Sequence, residues 1–178
     1  MKRFVIALAV LASLVAGCAA KPAHLGKPAG PPLTVTTPPP KTAAHLGQTL
    51  DLMRIGDQRI AVTMLQVINP ATVPNGWGDP SKNYMAAKLT ITNTGTTTIV
   101  GNSSSDVVLV GSDNKDYHAD LATVTECKDF VYGWFLLPAG VSQTGCVTFA
   151  LPSGVTPAKV KYTPSSGIAR EIGEWPNS

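Results

Sequence analysis

His118 is the only histidine in the body of the chain; the other two, His24 and His45, fall in or beside a proline-rich stretch near the N-terminus. Hydrolysis by a Ser-His-Asp device needs an imidazole positioned against a hydroxyl and oriented by a carboxylate. His118 would have to be that base, with Ser112 in the same short segment and Asp116 and Asp120 close by. No Gly-x-Ser-x-Gly elbow is present, and a hairpin rim offers little to exclude water. A surface histidine is therefore the preferred reading, and a small hydrolase or metal-dependent enzyme centred on His118 is the alternative.

Two further patterns touch the same stretch. Ser112-Asp113-Asn114-Lys115 fits both Ser-x-x-Lys and Ser-Asp-Asn, which in penicillin-binding enzymes place serine and lysine one helical turn apart. Here the four residues are turn formers between strand patterns, and no Lys-Thr-Gly follows, so the segment reads as a turn. Asp113, Asp116, His118 and Asp120 could offer oxygen and nitrogen to a cation. However, Lys115 stands where a calcium loop places an oxygen ligand. Zinc spacings of the His-x-x-x-His or Cys-x-x-Cys kind are absent, as are phosphate loops and dinucleotide fingerprints. No metal and no cofactor is expected.

The cysteines carry more information. Cys18 ends Val15-Ala16-Gly17-Cys18, behind Lys2, Arg3 and an apolar run from Phe4 to Val15. Charge, apolar run and small residues in that order make a signal peptide. The run is too short to span a bilayer, which takes roughly 20 residues. With a cysteine at the cut, the segment resembles the signal of bacterial lipoproteins. That resemblance implies that the Cys18 sulfur is alkylated by a diacylglycerol and that residues 1–17 are removed. The chain's 178 residues less those 17 leave 161, one domain with room for a core. Assigning Cys18 to lipid leaves Cys127 and Cys146 as a pair, and outside the cytoplasm a pair oxidises. Closing the intervening loop of about 18 residues is worth roughly 3 kcal/mol in the chain-entropy model. The alternative, a two-cysteine metal site, lacks nearby histidines.

Charge excludes one class of partner. The net +3 includes Lys2 and Arg3; without them 12 basic groups face 11 acidic ones. No electrostatic footprint for nucleic acid remains. From residue 19 to 44, seven prolines (Pro22, Pro28, Pro31, Pro32, Pro38, Pro39 and Pro40) sit among Ala, Gly, Thr and Lys. Such a stretch cannot bury enough surface to offset its entropy, and Pro-Pro steps favour polyproline II. Its 26 residues reach roughly 80 Å when extended. It is expected to be a disordered spacer.

The elements that must position any site are strands. No long 3.6-residue apolar stripe occurs after residue 46, and Gly, Pro, Asn and Asp punctuate the chain at short intervals. Expected strands span 46–53, 59–68, 84–93, 107–110, 115–118, 130–137, 145–151 and 155–162. In the second of these, Ile60, Val62 and Met64 alternate before the phase slips to Leu65 and Val67, the mark of a bulge. Seven to eight short strands with regular turns predict an all-β antiparallel sandwich.

Four segments recur in a familiar order: Val67-Ile68-Asn69-Pro70, Leu89-Thr90-Ile91-Thr92-Asn93-Thr94-Gly95, Leu136-Leu137-Pro138-Ala139-Gly140, and Gly145-Cys146-Val147-Thr148-Phe149-Ala150-Leu151-Pro152. Through them the chain, over about 46–164, resembles the telokin-like immunoglobulin domain of bacterial surface lipoproteins, similar to the mycobacterial immunoprotective extracellular antigen family. The resemblance implies an immunoglobulin-like fold and carries over no catalytic residue.

One constellation of binding type remains. Phe130, Tyr132, Trp134 and Phe135 crowd the segment before Pro138, with Trp77 in the loop 70–80. Alternation puts Phe130, Tyr132 and Trp134 on one face and Val131, Phe135 and Leu137 on the other. Either Trp134 packs inside against the disulfide, as a Trp does in antibody domains, or the aromatic set faces out as a ligand or partner platform.

These readings converge on three segments: residues 1–17 as signal peptide, 18–44 as lipidated N-terminus and linker, and 45–178 as an immunoglobulin-like sandwich. The expected role is a non-enzymatic, lipid-anchored binding module of the cell envelope, facing away from the cytoplasm. Phe130, Tyr132, Trp134 and Trp77 are its candidate contact residues. Its partner would be an envelope protein, a cell-wall component or a hydrophobic small molecule. A purely structural envelope protein is the other alternative.

Overall fold

The computed structural model describes residues 42–74 and 78–177. The signal peptide, Cys18, most of the proline-rich segment and Trp77 lie outside the described residues. Within them the chain forms β1 (Thr42–Ala43), β2 (Thr49–Met53), β3 (Arg59–Ile68), β4 (Lys82–Asn93), β5 (Ile99–Asn102), the single helical turn α1 (Ser103–Asp106), β6 (Val107–Gly111), β7 (Asp116–Tyr117), β8 (Trp134–Leu137), β9 (Ser142–Pro152), β10 (Pro157–Tyr162) and β11 (Gly173–Pro176). One sheet runs β1-β11-β10-β6-β7, a second runs β2-β3-β4-β9, and β5 pairs with β8 as a separate ribbon.

The arrangement is the antiparallel β-sandwich that the alternation predicts. Ile60, Val62 and Met64 of β3 and Met85, Ala87, Leu89 and Ile91 of β4 enter one core. There they meet Leu109, Val160, Tyr162 and Trp175 from the other sheet, and Ile99, Phe135 and Leu137 from the ribbon. The register of β3 against β4 shifts between Met64 and Gln66, which is where the phase slip places a bulge. Eight of the strands answer to the eight expected; β1, β5 and β11 are additional. Two of these three have four residues and one has two, too short for a period of two to register.

The outer face of β2-β3-β4-β9 is polar where it is open. Thr49 and Thr63 share a hydrogen bond of 2.7 Å, as do Thr90 and Thr144. Thr63 and Thr90 are themselves paired, so one row of threonines crosses all four strands. Another part of that face is covered by loops, with Val124 packed against Ala86 and Cys146 and with Ala71, Val73 and Cys127 beside them.

Two features correct the expectations. The strand expected over 130–137 begins only at Trp134, because Tyr132 (φ 50°) and Gly133 (φ 77°) turn the chain. Among the described residues the core tryptophan is Trp175, fully buried with its indole N–H donating to the Gln48 carbonyl at 3.1 Å, and not Trp134. Gly173 and Trp175 face inward together in β11, and a β-carbon on Gly173 would stand 2.6 Å from the Trp175 ring.

Candidate functional site

The ribbon is built by alternation and one glycine. Ile99 pairs with Leu137, Val100 with Leu136, Gly101 with Phe135 and Asn102 with Trp134. Ile99, Phe135 and Leu137 point into the core, while Val100, Trp134 and Leu136 point out, each more than half exposed. A residue with a side chain could not stand opposite Phe135: its ring lies over Gly101, so a β-carbon there would be 2.2 Å from Cζ.

The chain reaches β8 through a tight turn, Val131-Tyr132-Gly133-Trp134. Successive positive φ values at Tyr132 and Gly133 are those of a type I′ turn, whose twist suits a hairpin. The Trp134 N–H donates to the Val131 carbonyl at 2.9 Å. Neighbouring residues fix the turn from outside. Asn102 caps α1 by accepting from the Ser104 N–H at 3.0 Å, and its Nδ2 donates to the Tyr132 carbonyl at 3.3 Å. The Gly133 carbonyl accepts from both the Ser103 N–H (2.7 Å) and the Ser103 hydroxyl (3.0 Å). A β-carbon at Gly133 would meet Asn102 Oδ1 and Ser104 Oγ at 2.4 Å each.

Two anchors hold the approach to this turn. Cys127 and Cys146 form the disulfide that the cysteine count predicts, with Cα atoms 6.1 Å apart. The Cys146 N–H donates to the Lys128 carbonyl at 3.0 Å, so the segment lies along β9. Phe130 then drops into the core over Gly145 and meets Phe135 edge-on, with centroids 6.3 Å apart. At the far end of β8, the buried Asn93 donates from Nδ2 to the Leu137 carbonyl at 2.8 Å and to the Thr97 carbonyl at 2.7 Å.

Charge is held beneath the ribbon. The Arg54 Nη2 donates to the Val100 carbonyl at 2.7 Å, and the guanidinium carbon lies 6.0 Å from the Phe135 ring centroid. Buried Asp106 accepts from the Tyr162 hydroxyl at 2.8 Å and from the Ser166 N–H at 2.6 Å. Burial pushes the Asp106 carboxyl up; the two hydrogen bonds and the Arg54 charge offset this only in part. The Tyr162 hydroxyl is pushed well above the usual phenol range by burial and by the carboxylate it donates to.

The structure therefore divides the aromatic residues. Tyr132 is 88% exposed and Trp134 57%, whereas Phe130 is 1% exposed and belongs to the core. Phe130 is withdrawn as a contact residue: the turn at 132–133 breaks the alternation that placed it beside the other two. Val100 and Leu136, which the sequence reading did not single out, join Tyr132 and Trp134 on the outside. A groove of about 540 Å³ adjoins Tyr132, lined by Pro74, Asp120, Leu121, Ala122 and Thr123.

His118 is exposed, and its neighbours are engaged elsewhere. Asp113 accepts from the Lys115 N–H and the Tyr117 hydroxyl, Asp116 from Lys161 Nζ, and Asp120 from the Ala122 N–H. Ser112 sits in the turn between β6 and β7, its hydroxyl accepting from the Thr156 N–H at 3.2 Å. Among the described residues, no group of three or more His, Cys, Asp or Glu is placed to hold a metal. What the ribbon and its turn offer is apolar area on a rigid backbone, with an indole N–H and a phenol hydroxyl among it.

The profile of a family described as "Domain of unknown function (DUF4352)" matches residues 51–171. No curated protein matches the chain. Among solved structures, the chain is similar to MPT63, a secreted protein of Mycobacterium tuberculosis, with TM-score 0.58 and 17% identity over 78% of this chain and 98% of that one. It is similar at TM-score 0.48 to a candidate lipoprotein, ycdA, of Bacillus subtilis, with 16% identity over 74% of this chain and 38% of that one. A β-sandwich protein of Clostridium difficile follows at TM-score 0.46, with 12% identity over 78% of this chain and 95% of that one. At these identities the likeness is one of fold.

Proposed function

This chain belongs to the DUF4352 family, a family of domains of unknown function; from there we propose that it is a non-enzymatic binding module, tethered by lipid at Cys18 and held in the cell envelope outside the cytoplasm. The domain is read as a telokin-like immunoglobulin sandwich on a proline-rich spacer. Its contact surface is the outward face of the β5–β8 ribbon with its turn: Tyr132, Trp134, Leu136 and Val100. One observation carries this reading. Tyr132 and Trp134 are large, apolar and exposed, yet they stand on a turn fixed by Asn102 and Ser103. Fixing the backbone in advance lowers the ordering cost of association, and rigid aromatic anchors supply most of the energy of an interface.

The lipid supplies location and the ribbon supplies contact, and the two are tested separately. Replacing Cys18 with Ala is expected to move the chain out of the membrane pellet. Oxidative footprinting read by mass spectrometry then compares intact envelopes with the purified, detergent-solubilised full-length chain. Tyr132 and Trp134 should be labelled several-fold less in envelopes, with Tyr117 equal in both. Equal labelling of Trp134 in the two preparations removes the ribbon as the contact surface.

A further inference from the structure

We infer that the outward face of the β5–β8 ribbon is an interface between two copies of this chain, related by a two-fold axis. This rests on the ribbon being a contact surface and names what it contacts.

The first argument is area. Val100 (52% exposed), Val131 (65%), Tyr132, Trp134 and Leu136 (62%) together leave residue surface on the order of 600 Å² in water, main chain included. That is the upper end of the largest patch a typical monomer exposes, and patches of that size are often functional. Set against its own copy, the patch would bury about 1,200 Å² in all, the lower end of the range for specific interfaces.

The second argument is charge. None of the five is an Asp, Glu, Lys, Arg or His, so setting the patch against its own copy brings no like charges together. A patch selected for a charged partner would carry complementary charge. An isologous interface uses the same patch on both partners and so needs only self-compatible chemistry.

The third argument is rigidity and confinement. The disulfide to β9, the Ser103 hydrogen bonds and the burial of Phe130 and Phe135 fix the patch before contact. Copies carried on lipid at one membrane surface meet in a layer rather than a volume, which raises their effective concentration without a new contact.

The test uses the full-length chain in its own membrane. Two differently tagged copies are co-expressed, each with a photo-crosslinking amino acid at 132, 134 or 136, and a control set carries it at 118. The expected product is an adduct bearing both tags from the ribbon positions and not from 118. Leu136→Glu, introduced at an exposed site, should lower that adduct at least tenfold while leaving the unfolding midpoint unchanged; Val100→Lys serves as a second variant of the same kind. An adduct joining the chain to a different polypeptide, with no second tag, overturns the self-association and keeps the contact surface. No adduct at any of the three positions overturns both. A two-tag adduct that Leu136→Glu and Val100→Lys leave undiminished also overturns this interface.

Discussion

Gly101 and Phe135 occupy one cross-strand pair of the ribbon, and the Phe135 ring fills the space that a side chain at 101 would need. The ring is 2% exposed and meets Phe130 edge-on, so any retreat must displace packed neighbours. Gly101→Ala is expected to cost about 1–3 kcal/mol by overpacking. Shortening the ring in the double variant Gly101→Ala/Phe135→Leu should recover part of that loss. Urea unfolding of the four proteins in the cycle gives the coupling energy, and additive costs would contradict the contact.

Gly133 is constrained twice, by φ 77° and by the two oxygens that face its α-carbon. Gly133→Ala should destabilise by about 1–3 kcal/mol, the range for a residue held in a sparsely populated backbone region. The same change should loosen the Asn102 and Ser103 contacts, exposing the amides of 103 and 104. Hydrogen exchange at those two amides distinguishes a loosened turn from a general loss of stability, which would speed exchange across β4 and β9 as well.

The two described tryptophans are opposites. Trp134→Ala should change stability by less than about 0.5 kcal/mol, as surface substitutions do. Trp175→Ala should cost about 3–5 kcal/mol, the range for an aromatic removed from a core. In a Trp77→Phe background, iodide should quench the emission of Trp134 and leave that of Trp175. Equal quenching would place Trp134 inside.

Removing the disulfide by Cys127→Ala/Cys146→Ala should lower stability by about 3 kcal/mol, given a sequence separation of 19. Because the effect acts largely on the unfolded chain, the urea m-value should rise with the greater expansion of that state. The ribbon should lose order before the rest of the sandwich, because the bridge holds the segment that leads to it. Unchanged m and midpoint would show that the bridge constrains neither state.

Asp106 sets a pH dependence of unusual sign. Burial raises its folded-state pKa above the ordinary aspartate range, so in that window the native state holds more protons than the unfolded one. Its contribution to stability therefore falls as pH rises through the folded value. Asp106→Asn keeps a hydrogen-bonding group in place and removes the titration. The stability of the variant minus that of the natural chain should grow with pH from about 4 upward and then level off. Exposed Asp79, Asp113 and Glu126 are lowered and act oppositely, but they are common to both proteins and cancel in the difference. A difference independent of pH would show that Asp106 ionises in place at the ordinary value.

Much of the sandwich was legible because its long strands β3 and β4 bury one face over much of their length, which writes a period of two into them. The bulge in β3 was legible for the same reason, since a slipped phase is visible wherever a phase exists. The ribbon was not. β5 has four residues, and the decisive position in it, Gly101, is defined by what it lacks. Reading 130–137 as one strand extended alternation across Tyr132-Gly133, where nothing in apolar pattern marks a reversal of φ; the glycine was the available signal. Trp175 escaped notice because Gly173-Glu174-Trp175-Pro176 shows a single large inward residue. The disulfide was found by counting cysteines, which requires no geometry at all.

The N-terminal chain joins the sandwich through β1, two residues laid parallel to β11. Its flanking hydrogen bonds run from the Thr42 N–H to the Ile172 carbonyl at 3.2 Å and from the Ala44 N–H to the Glu174 carbonyl at 2.9 Å. Any mechanical load arriving along that chain reaches these few bonds first. Thr42 and Ala43 are exposed, whereas Ala44, next along, is buried in the core, so peeling meets resistance at that residue. Release of β1 would lengthen the proposed tether by about 3.3 Å per residue, and the aromatic turn lies on a separate ribbon. Under load along the proposed tether, the β1–β11 bonds would therefore yield before the proposed contact surface is strained.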